Sequence, residues 1–262
     1  MKVVIFCGGE GTRLREYSET IPKPMVPVGY RPILWHLMKY YAFFGHKDFI
    51  LALGYRADAI KSFFLNYDET VSNDFVFSEG GKKVDLANSD ILDWRITFVD
   101  TGAKSNIGER LVRLRPHLED EEMFMANYSD GVTDLHLPGY IDEFKASGKV
   151  AGFVAVPPPG SYHTVEIDDD GKVTGTDQIS KAGSWINGGY FVLKQEIFNF
   201  IEKGEELVEE PFERLIAADE LFAYRHTGFW APMDTFKDKQ RLDQLHATGD
   251  APWQVWNRNH RG

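Results

Sequence analysis

Cysteine is almost absent from this sequence of 262 residues, which contains only Cys7. A disulfide within the chain needs two cysteines and a cysteine-rich zinc cluster needs several, so both are excluded. Long apolar runs are also missing, because the longest have the length of a strand whereas a membrane-spanning helix needs about 20 residues. The first two residues lead directly into such a run, which predicts neither a signal peptide nor a membrane anchor. These absences favour a cytoplasmic globular protein.

Basic residues are in deficit, with 29 Lys and Arg against 40 Asp and Glu and a formal net charge of −11. This balance argues against a general nucleic-acid partner or an anionic membrane partner, because both would be repelled. It does not exclude a small anionic ligand, since a pocket can be locally positive on an acidic protein.

Apolar runs of strand length alternate with amphipathic stretches through the first half of the chain. The predicted strands cover residues 2–7, 48–53, 95–100, 123–127 and 150–156. The predicted helices between them cover residues 32–44, 56–67, 108–118 and 140–147. This alternation predicts βαβ units and therefore an α/β, Rossmann-like, mostly parallel sheet with flanking helices. In such sheets, ligands bind at the carboxyl ends of the strands.

Two regions interrupt the alternation. Residues 68–94 are polar and irregular with a hairpin-like stretch, and we interpret them as an insertion that serves as a lid or a subunit contact. Beyond residue 157, predicted strands at 163–167 and 185–193 form a small additional β region. Helices are predicted at 195–203, 211–218 and 236–247. We expect one domain over residues 1–262, ending in a C-terminal segment of helix and tail at 236–262.

The loop after the first predicted strand has glycine at three of its four first positions: Gly8, Gly9 and Gly11. Such glycines let several backbone N–H groups converge on an anion, and Arg13 adds a cation with forked donors. The alternative is a plain turn from strand to helix. The loop lacks the Lys-Ser/Thr ending of a Walker loop and the third glycine of a dinucleotide-binding fold.

Lys23 lies between Pro22 and Pro24. Proline restricts its own backbone and that of the preceding residue, so the sequence predicts a rigid, extended presentation of the Lys23 ammonium. The alternative is an incidental lysine in a proline-rich loop.

Together, the segments GGEGTRL (8–14) and PKPMVPV (22–28) resemble the signature of the nucleotidyltransferases that join a nucleoside triphosphate to a sugar 1-phosphate. Segments at 99–102, 108–111, 129–132, 186–190 and 228–235 follow in the order of that family. The chain looks most like its cytidylyltransferase branch, because of the insertion before Asp100, the GFWxPMDT segment at 228–235 and the ending at 251–253.

The resemblance implies a reaction in which a phosphate oxygen attacks the α-phosphorus of the triphosphate and pyrophosphate leaves. Two polyanions must meet, so positioning and charge neutralisation are the main needs, and no general base is required. Arg13 would neutralise the β- and γ-phosphates and Lys23 the α-phosphate, while Asp130 and Asp234 would hold Mg²⁺. The implied nucleotide contacts are Gly8, Gly9, Gly11, Thr12 and Arg110. The structural alternatives are a turn residue for Asp130 and a helix N-cap for Asp234.

The acceptor side departs from the family pattern, although Asn187 and Gly188 match it. Gln178 stands where the family has a lysine on the sugar phosphate, and Lys181 substitutes only if the loop shifts its register. His163 stands where a glycine normally leaves room for the sugar. These changes favour an acceptor other than glucose 1-phosphate, such as another sugar phosphate, a phosphorylated alcohol or a phosphonate. The alternative is that these positions have drifted without a change of acceptor, and that Lys181 compensates for the lysine missing at position 178.

The sequence therefore predicts a Mg²⁺-dependent nucleotidyltransferase that uses CTP and a phosphorylated small molecule and assembles as a homo-oligomer. One alternative is a sugar-1-phosphate enzyme that uses UTP or dTTP. The other is a catalytically weak homologue that binds a nucleotide and regulates a partner.

Overall fold

A computed structural model describes residues 1–9, 21–159, 163–178 and 183–260. Within these residues the central sheet has eight strands. They are β1 (Val3–Phe6), β4 (Asp48–Leu53), β7 (Arg95–Asp100), β8 (Met123–Tyr128), β10 (Ala151–Val156), β13 (Ile186–Asn187), β14 (Phe191–Lys194) and β15 (Leu221–Arg225). Short pairs outside this sheet are formed by β2 (Pro27–Val28) with β3 (Arg31–Pro32), β5 (Phe75–Ser78) with β6 (Lys83–Leu86), β9 (Gly131–Thr133) with β16 (Trp230–Pro232), and β11 (His163–Ile167) with β12 (Val173–Gln178).

Most neighbours in the central sheet are parallel. Strand β1 pairs in parallel with β4 and β8, β4 with β7, and β10 with β15. Strand β14 runs antiparallel between β8 and β10, and β13 continues it along β10. The carboxyl ends of β1, β4, β7, β8, β10 and β15 therefore meet at one edge of the sheet. The predicted mostly parallel α/β architecture is confirmed.

Helices cover both faces of the sheet. The described α-helices are α1 (Ile33–Phe43), α2 (Ala57–Leu65), α3 (Ile107–Leu114), α4 (Leu137–Ser147), α5 (Glu210–Ala217) and α6 (Phe236–Ala247). One apolar cluster joins the sheet to α1, α2 and α4, and a second joins it to α3 and α5. A third cluster joins β2, β9, β16, α6 and the buried Trp253, so the C-terminal segment packs beside the loop that carries Lys23. None of the helices in the described part of the chain combines the length and apolarity needed to cross a membrane.

Two predicted helices are shorter than expected. The helix predicted at 108–118 ends at Leu114 and continues as a 3-10 turn at Arg115–His117, because the ring and missing N–H of Pro116 do not fit an α-helix interior. The helix predicted at 195–203 is only the 3-10 turn Gln195–Asn199.

The single strand predicted at 185–193 is wrong, because it is divided into β13 and β14 at Gly188–Tyr190. Tyr190 has a φ of 53°, in the left-handed region that a tyrosine rarely adopts. Asn127 at the end of β8 holds this conformation, since its Oδ1 accepts a hydrogen bond from the Tyr190 backbone N–H at 3.0 Å. A tertiary contact therefore overrides the local preference of an apolar stretch.

The insertion at 68–94 contains the predicted hairpin, β5 and β6. Asp90, near the end of the insertion, connects it to the rest of the domain. Its carboxylate accepts hydrogen bonds from Lys39 at 2.9 Å and Tyr67 at 3.1 Å. Burial opposes ionisation of Asp90, but the bonds from Lys39 and Ser72 outweigh it and lower the pKa of this carboxyl. The hairpin itself projects into solvent.

Candidate active site

Two aspartates separated by 104 residues in the sequence meet at the carboxyl edge of the sheet. Asp130 follows β8 and precedes β9, and Asp234 follows β16. The antiparallel pairing of β9 with β16 brings their ends together, and the Met233 backbone N–H donates to the Asp130 carbonyl at 2.8 Å. This short ribbon is the element that places both carboxylates in one site.

Lys23 joins the two carboxylates. Its Nζ donates to Asp234 Oδ1 at 2.6 Å and also forms an ion pair with Asp130 Oδ2. Burial opposes protonation of Lys23, but the charges and hydrogen bonds of Asp130 and Asp234 outweigh it and raise the pKa of Lys23 above its ordinary value. The result is one ammonium held between two carboxylates, all three partly open to solvent.

The backbone around Lys23 differs from the extended form predicted. Lys23–Met25 forms a 3-10 turn, closed by hydrogen bonds from Met25 N–H to Pro22 O at 2.8 Å and from Val26 N–H to Lys23 O at 3.1 Å. Pro24 occupies an early position of the turn, where its missing N–H costs nothing. The prolines do fix the lysine, but in a turn.

The alternative of a helix N-cap at Asp234 is wrong. The N-cap of α6 is Thr235, whose side chain forms a capping box with Asp238. The Asp234 carboxylate therefore does not cap the helix, and it contacts Lys23 instead. Similarly, the hydrogen bond described for the Asp130 carboxylate comes from Lys23 and not from a local turn.

The glycine loop is described only in part: Gly11, Thr12 and Arg13 lie outside the described residues. Gly9 is exposed, and a Cβ on it would meet no atom within 4 Å. Gly8 has a packing requirement, because a Cβ there would lie 2.0 Å from the Arg110 guanidinium. The absence of a side chain at Gly8 thus lets Arg110 pass beneath the loop.

Arg110, for which the sequence predicts a nucleotide contact, is buried and donates to acceptors within the protein. The residue is 2% exposed, and its guanidinium donates to Leu53 O at 3.1 Å, Thr101 Oγ1 at 2.7 Å and Gly8 O at 3.0 Å. Its bonds therefore connect the carboxyl ends of β1, β4 and β7. We assign Arg110 to bracing this edge of the sheet.

We expect the substitution Arg110→Met to lower the free energy of unfolding by about 2–4 kcal/mol, because buried acceptors would lose a charged donor. Urea denaturation would measure the change. Arg113→Met, at an exposed position of the same helix, is the matched control and should change stability by less than about 0.5 kcal/mol. An equal effect of the two substitutions would contradict the bracing role.

The residues that depart from the family pattern on the acceptor side share one hairpin. In the register of β11 and β12, His163 lies directly opposite Gln178, and Gln178 is exposed. Lys181 and the side chain of His163 lie outside the described residues. The two departures are thus paired in space, which their separation in the sequence does not reveal.

Asn187 and Gly188 lie at the start of the divided strand, beside the aspartate ribbon. The Gly188 carbonyl accepts a hydrogen bond from Trp230 Nε1 at 2.9 Å, and Asn187 Oδ1 accepts one from the Gly189 N–H at 2.8 Å. Tyr190, which the sequence did not single out, donates from its hydroxyl to the Gly131 carbonyl at 3.1 Å. One feature of the sequence could have indicated that Tyr190 packs here. Asn127 is a polar residue at the end of an apolar strand, where its side-chain amide is buried.

The donor set at Lys23 fits magnesium. Within the described residues there is no group of three or more His, Cys, Asp or Glu side chains that could hold a metal. Mg²⁺ commonly uses one or two protein carboxylates and completes its shell with water and substrate phosphates. Asp130 and Asp234 supply that number of carboxylates at a position open to solvent.

A parallel α/β sheet with glycines, a lysine and two aspartates at its carboxyl edge defines a fold and site suited to phosphate esters of nucleotides. The chain belongs to the nucleotidyl transferase family, whose model matches residues 2–238. It is a nucleotidyltransferase.

The chain is 42% identical to a glucose-1-phosphate cytidylyltransferase of Salmonella typhi over 258 residues, which cover 98% of this chain and all of that protein. Among solved structures, HddC from Yersinia pseudotuberculosis has a TM-score of 0.67 at 21% identity and covers 94% of this chain and 99% of its own. A UDP-glucose pyrophosphorylase in complex with UDP-glucose has a TM-score of 0.68 at 14% identity, covering 95% and 98%. Both structures share the fold.

Proposed function

We propose that the protein is a cytoplasmic, Mg²⁺-dependent nucleotidyltransferase that transfers the CMP part of CTP to a phosphorylated small molecule and releases pyrophosphate. The observation that carries this proposal is the ammonium of Lys23 between the carboxylates of Asp130 and Asp234. The identity with the cytidylyltransferase of Salmonella typhi supports CTP as the nucleotide.

The main obstacle to this reaction is repulsion between the attacking phosphate and the triphosphate. The attacking phosphate is already largely ionised at neutral pH, since its second pKa is about 6, so the site needs no base. Lys23 would donate to the α-phosphate, where charge develops in the transition state. Asp130 and Asp234 would hold Mg²⁺, which supplies further positive charge to the phosphates when bound. The backbone at Gly8 and Gly9, braced by Arg110, and the side chain of Arg13 would bind the remaining phosphates.

The acceptor is proposed to differ from glucose 1-phosphate. Gln178 and His163 are register partners in one hairpin, so both departures would alter the same part of the acceptor site. A glutamine donates hydrogen bonds but adds no positive charge. The acceptor phosphate would then depend on Lys23, the metal and Lys181 for neutralisation.

The experiment that tests this function offers CTP, UTP, dTTP and GTP with a panel of phosphorylated acceptors and measures pyrophosphate release. We expect release with CTP, abolished by chelation of Mg²⁺, and at least tenfold slower release with the other triphosphates. A preference for UTP or dTTP would replace CTP in the proposal. Nucleotide binding without turnover for every pair would instead indicate a regulatory homologue. Efficient turnover of glucose 1-phosphate would contradict the altered acceptor.

We also propose that the hairpin of β5 and β6 is a contact between copies of this chain. Its strands expose apolar side chains, including Val76 at 63% and Phe77 at 65%, and Leu92 in the same insertion is 87% exposed. An exposed apolar ribbon of this kind is costly in water and is typical of an association surface. A second copy of this chain is the partner that we expect on this hairpin, because the sequence predicts a homo-oligomer.

We expect the double substitution Val76→Asp and Phe77→Asp to convert the oligomer to a monomer, because it places two charges in the apolar contact. Sedimentation velocity would measure the mass of each form. Val165→Asp, at an exposed apolar position of the other hairpin, is the control and should leave the mass unchanged. A wild-type protein that is already monomeric at tens of micromolar would refute the contact.

A further inference from the structure

A pocket of about 390 Å³ lies beside the ends of β10 and β15 and the start of β13, and we call it the β15 pocket. Its volume falls within the range of small-molecule sites. Its walls are mainly apolar and aromatic, and two polar side chains reach it. Its lining includes Phe153, Trp185, Asn187, Val208, Phe212 and Arg225.

One row of residues across the sheet connects the β15 pocket to the strand that borders the candidate active site. Ala155 on β10 is the register partner of Asn187 on one side and of Arg225 on the other. These three side chains therefore point to the same face of the sheet. Next to Asn187, the Gly188 carbonyl accepts a hydrogen bond from Trp230 Nε1 at 2.9 Å, and Trp230 lies on β16, which leads to Asp234. The row thus leads from the aspartate site to Arg225.

Arg225 is the one charged residue among those that line the β15 pocket. Its guanidinium lies 5.6 Å from the centre of the Trp185 ring, which is itself 38% exposed. Among the residues that the structure describes, no carboxylate forms an ion pair with Arg225. Arg225 is itself exposed, so an anion that enters the pocket from solvent can reach its guanidinium.

The spacing of the strands indicates which part of a substrate would reach Arg225. Three strand spacings separate β15 from β8, so Arg225 lies about 14 Å along the row from the residues that lead into Asp130. The reacting phosphate must lie beside Lys23 and Asp130, and it cannot also pair with Arg225. The group that meets Arg225 is therefore at the opposite end of the acceptor.

We propose that the β15 pocket binds the end of the acceptor opposite its reacting phosphate, and that Arg225 pairs there with a second anionic group, a carboxylate or a phosphate. This inference rests on the proposed function. The body of the acceptor packs against Trp185 and the apolar wall formed by Phe153 and Phe212, and Asn187 contacts it between the two anionic ends. Arg225 is then a residue that determines specificity for doubly anionic acceptors.

The test compares three acceptors that share one ring: glucose 1-phosphate, glucuronic acid 1-phosphate and glucose 1,6-bisphosphate. They carry a hydroxyl, a carboxylate and a phosphate, respectively, at the distal position. The comparison therefore distinguishes a preference for a carboxylate from a preference for a phosphate. We expect kcat/KM with CTP to be about tenfold higher for at least one anionic acceptor than for glucose 1-phosphate. Arg225→Gln should remove that preference through KM of the acceptor, with KM of CTP unchanged, and Arg225→Lys should restore part of it.

Arg95→Gln, at an exposed arginine on the opposite edge of the sheet, is the matched control and should keep the preference. Binding of the same three compounds is also measured by calorimetry, in the presence of a non-hydrolysable CTP analogue. If no pair turns over but the anionic preference in binding is present and depends on Arg225, the proposed function fails and the assignment of the pocket stands. If turnover occurs and glucose 1-phosphate is preferred, or if Arg225→Gln leaves the preference intact, the pocket assignment is overturned.

Discussion

Replacing Asp130 by asparagine is expected to lower kcat about 10²- to 10³-fold, and Asp234→Asn should do the same. Each change removes one of the two negative charges that would hold Mg²⁺ against the phosphates. The amide still accepts a hydrogen bond from Lys23, so the fold should persist. Pyrophosphate release at saturating CTP would measure kcat, and thermal unfolding would show that the protein is folded.

The control for these variants is Asp142→Asn, an exposed aspartate on α4, away from the ribbon formed by β9 and β16. It should retain full activity. A kcat within threefold of the wild-type value for Asp130→Asn or Asp234→Asn would show that the metal assignment is wrong.

The substitution Lys23→Met is expected to have two opposite effects. Turnover should fall about 10²- to 10³-fold, because the α-phosphate loses its cation in the transition state. Binding of Mg²⁺ without nucleotide should become about tenfold tighter, because the ammonium no longer competes with the metal for Asp130 and Asp234. Titration calorimetry with MgCl₂ measures the second effect separately from catalysis.

Lys61→Met, at an exposed position of α2, serves as the matched variant and should change neither quantity. If Lys23→Met leaves the affinity for Mg²⁺ unchanged, the two carboxylates do not form the metal site. If turnover is also unchanged, Lys23 does not contact the reacting phosphate.

The strands of the sheet could be predicted because burial on both faces leaves continuous apolar runs. Strands β4 and β7 match their predictions at both ends, and β1, β8 and β10 do so within one residue. The prediction failed where distant residues decide the backbone. The break at Gly188–Tyr190 depends on Asn127, and no local pattern encodes that contact.

Most residues of the candidate site could be predicted, but the structural elements that bring them together could not. The resemblance identified Lys23 and implied that Asp130 and Asp234 share one metal ion, but it did not predict the pairing of β9 with β16 that brings the two aspartates together. Arg110 illustrates the opposite error, because its place in a motif gave no sign that its guanidinium is buried under Gly8. Arg225 entered no prediction, because a single arginine at a strand end is unremarkable until its neighbours in space are known.

The pairing of β9 with β16 would also determine when the proposed site is complete during synthesis of the chain. Lys23 and Asp130 leave the ribosome first, and Asp234 follows Asp130 by 104 residues. At a translation rate of about 5–20 residues per second, this delay is about 5–20 s. Through that interval the nascent chain can form β1, β4, β7 and β8 but lacks its second carboxylate. With the proposed metal site, nucleotide chemistry would begin only after Asp234 has been made and β16 has paired with β9.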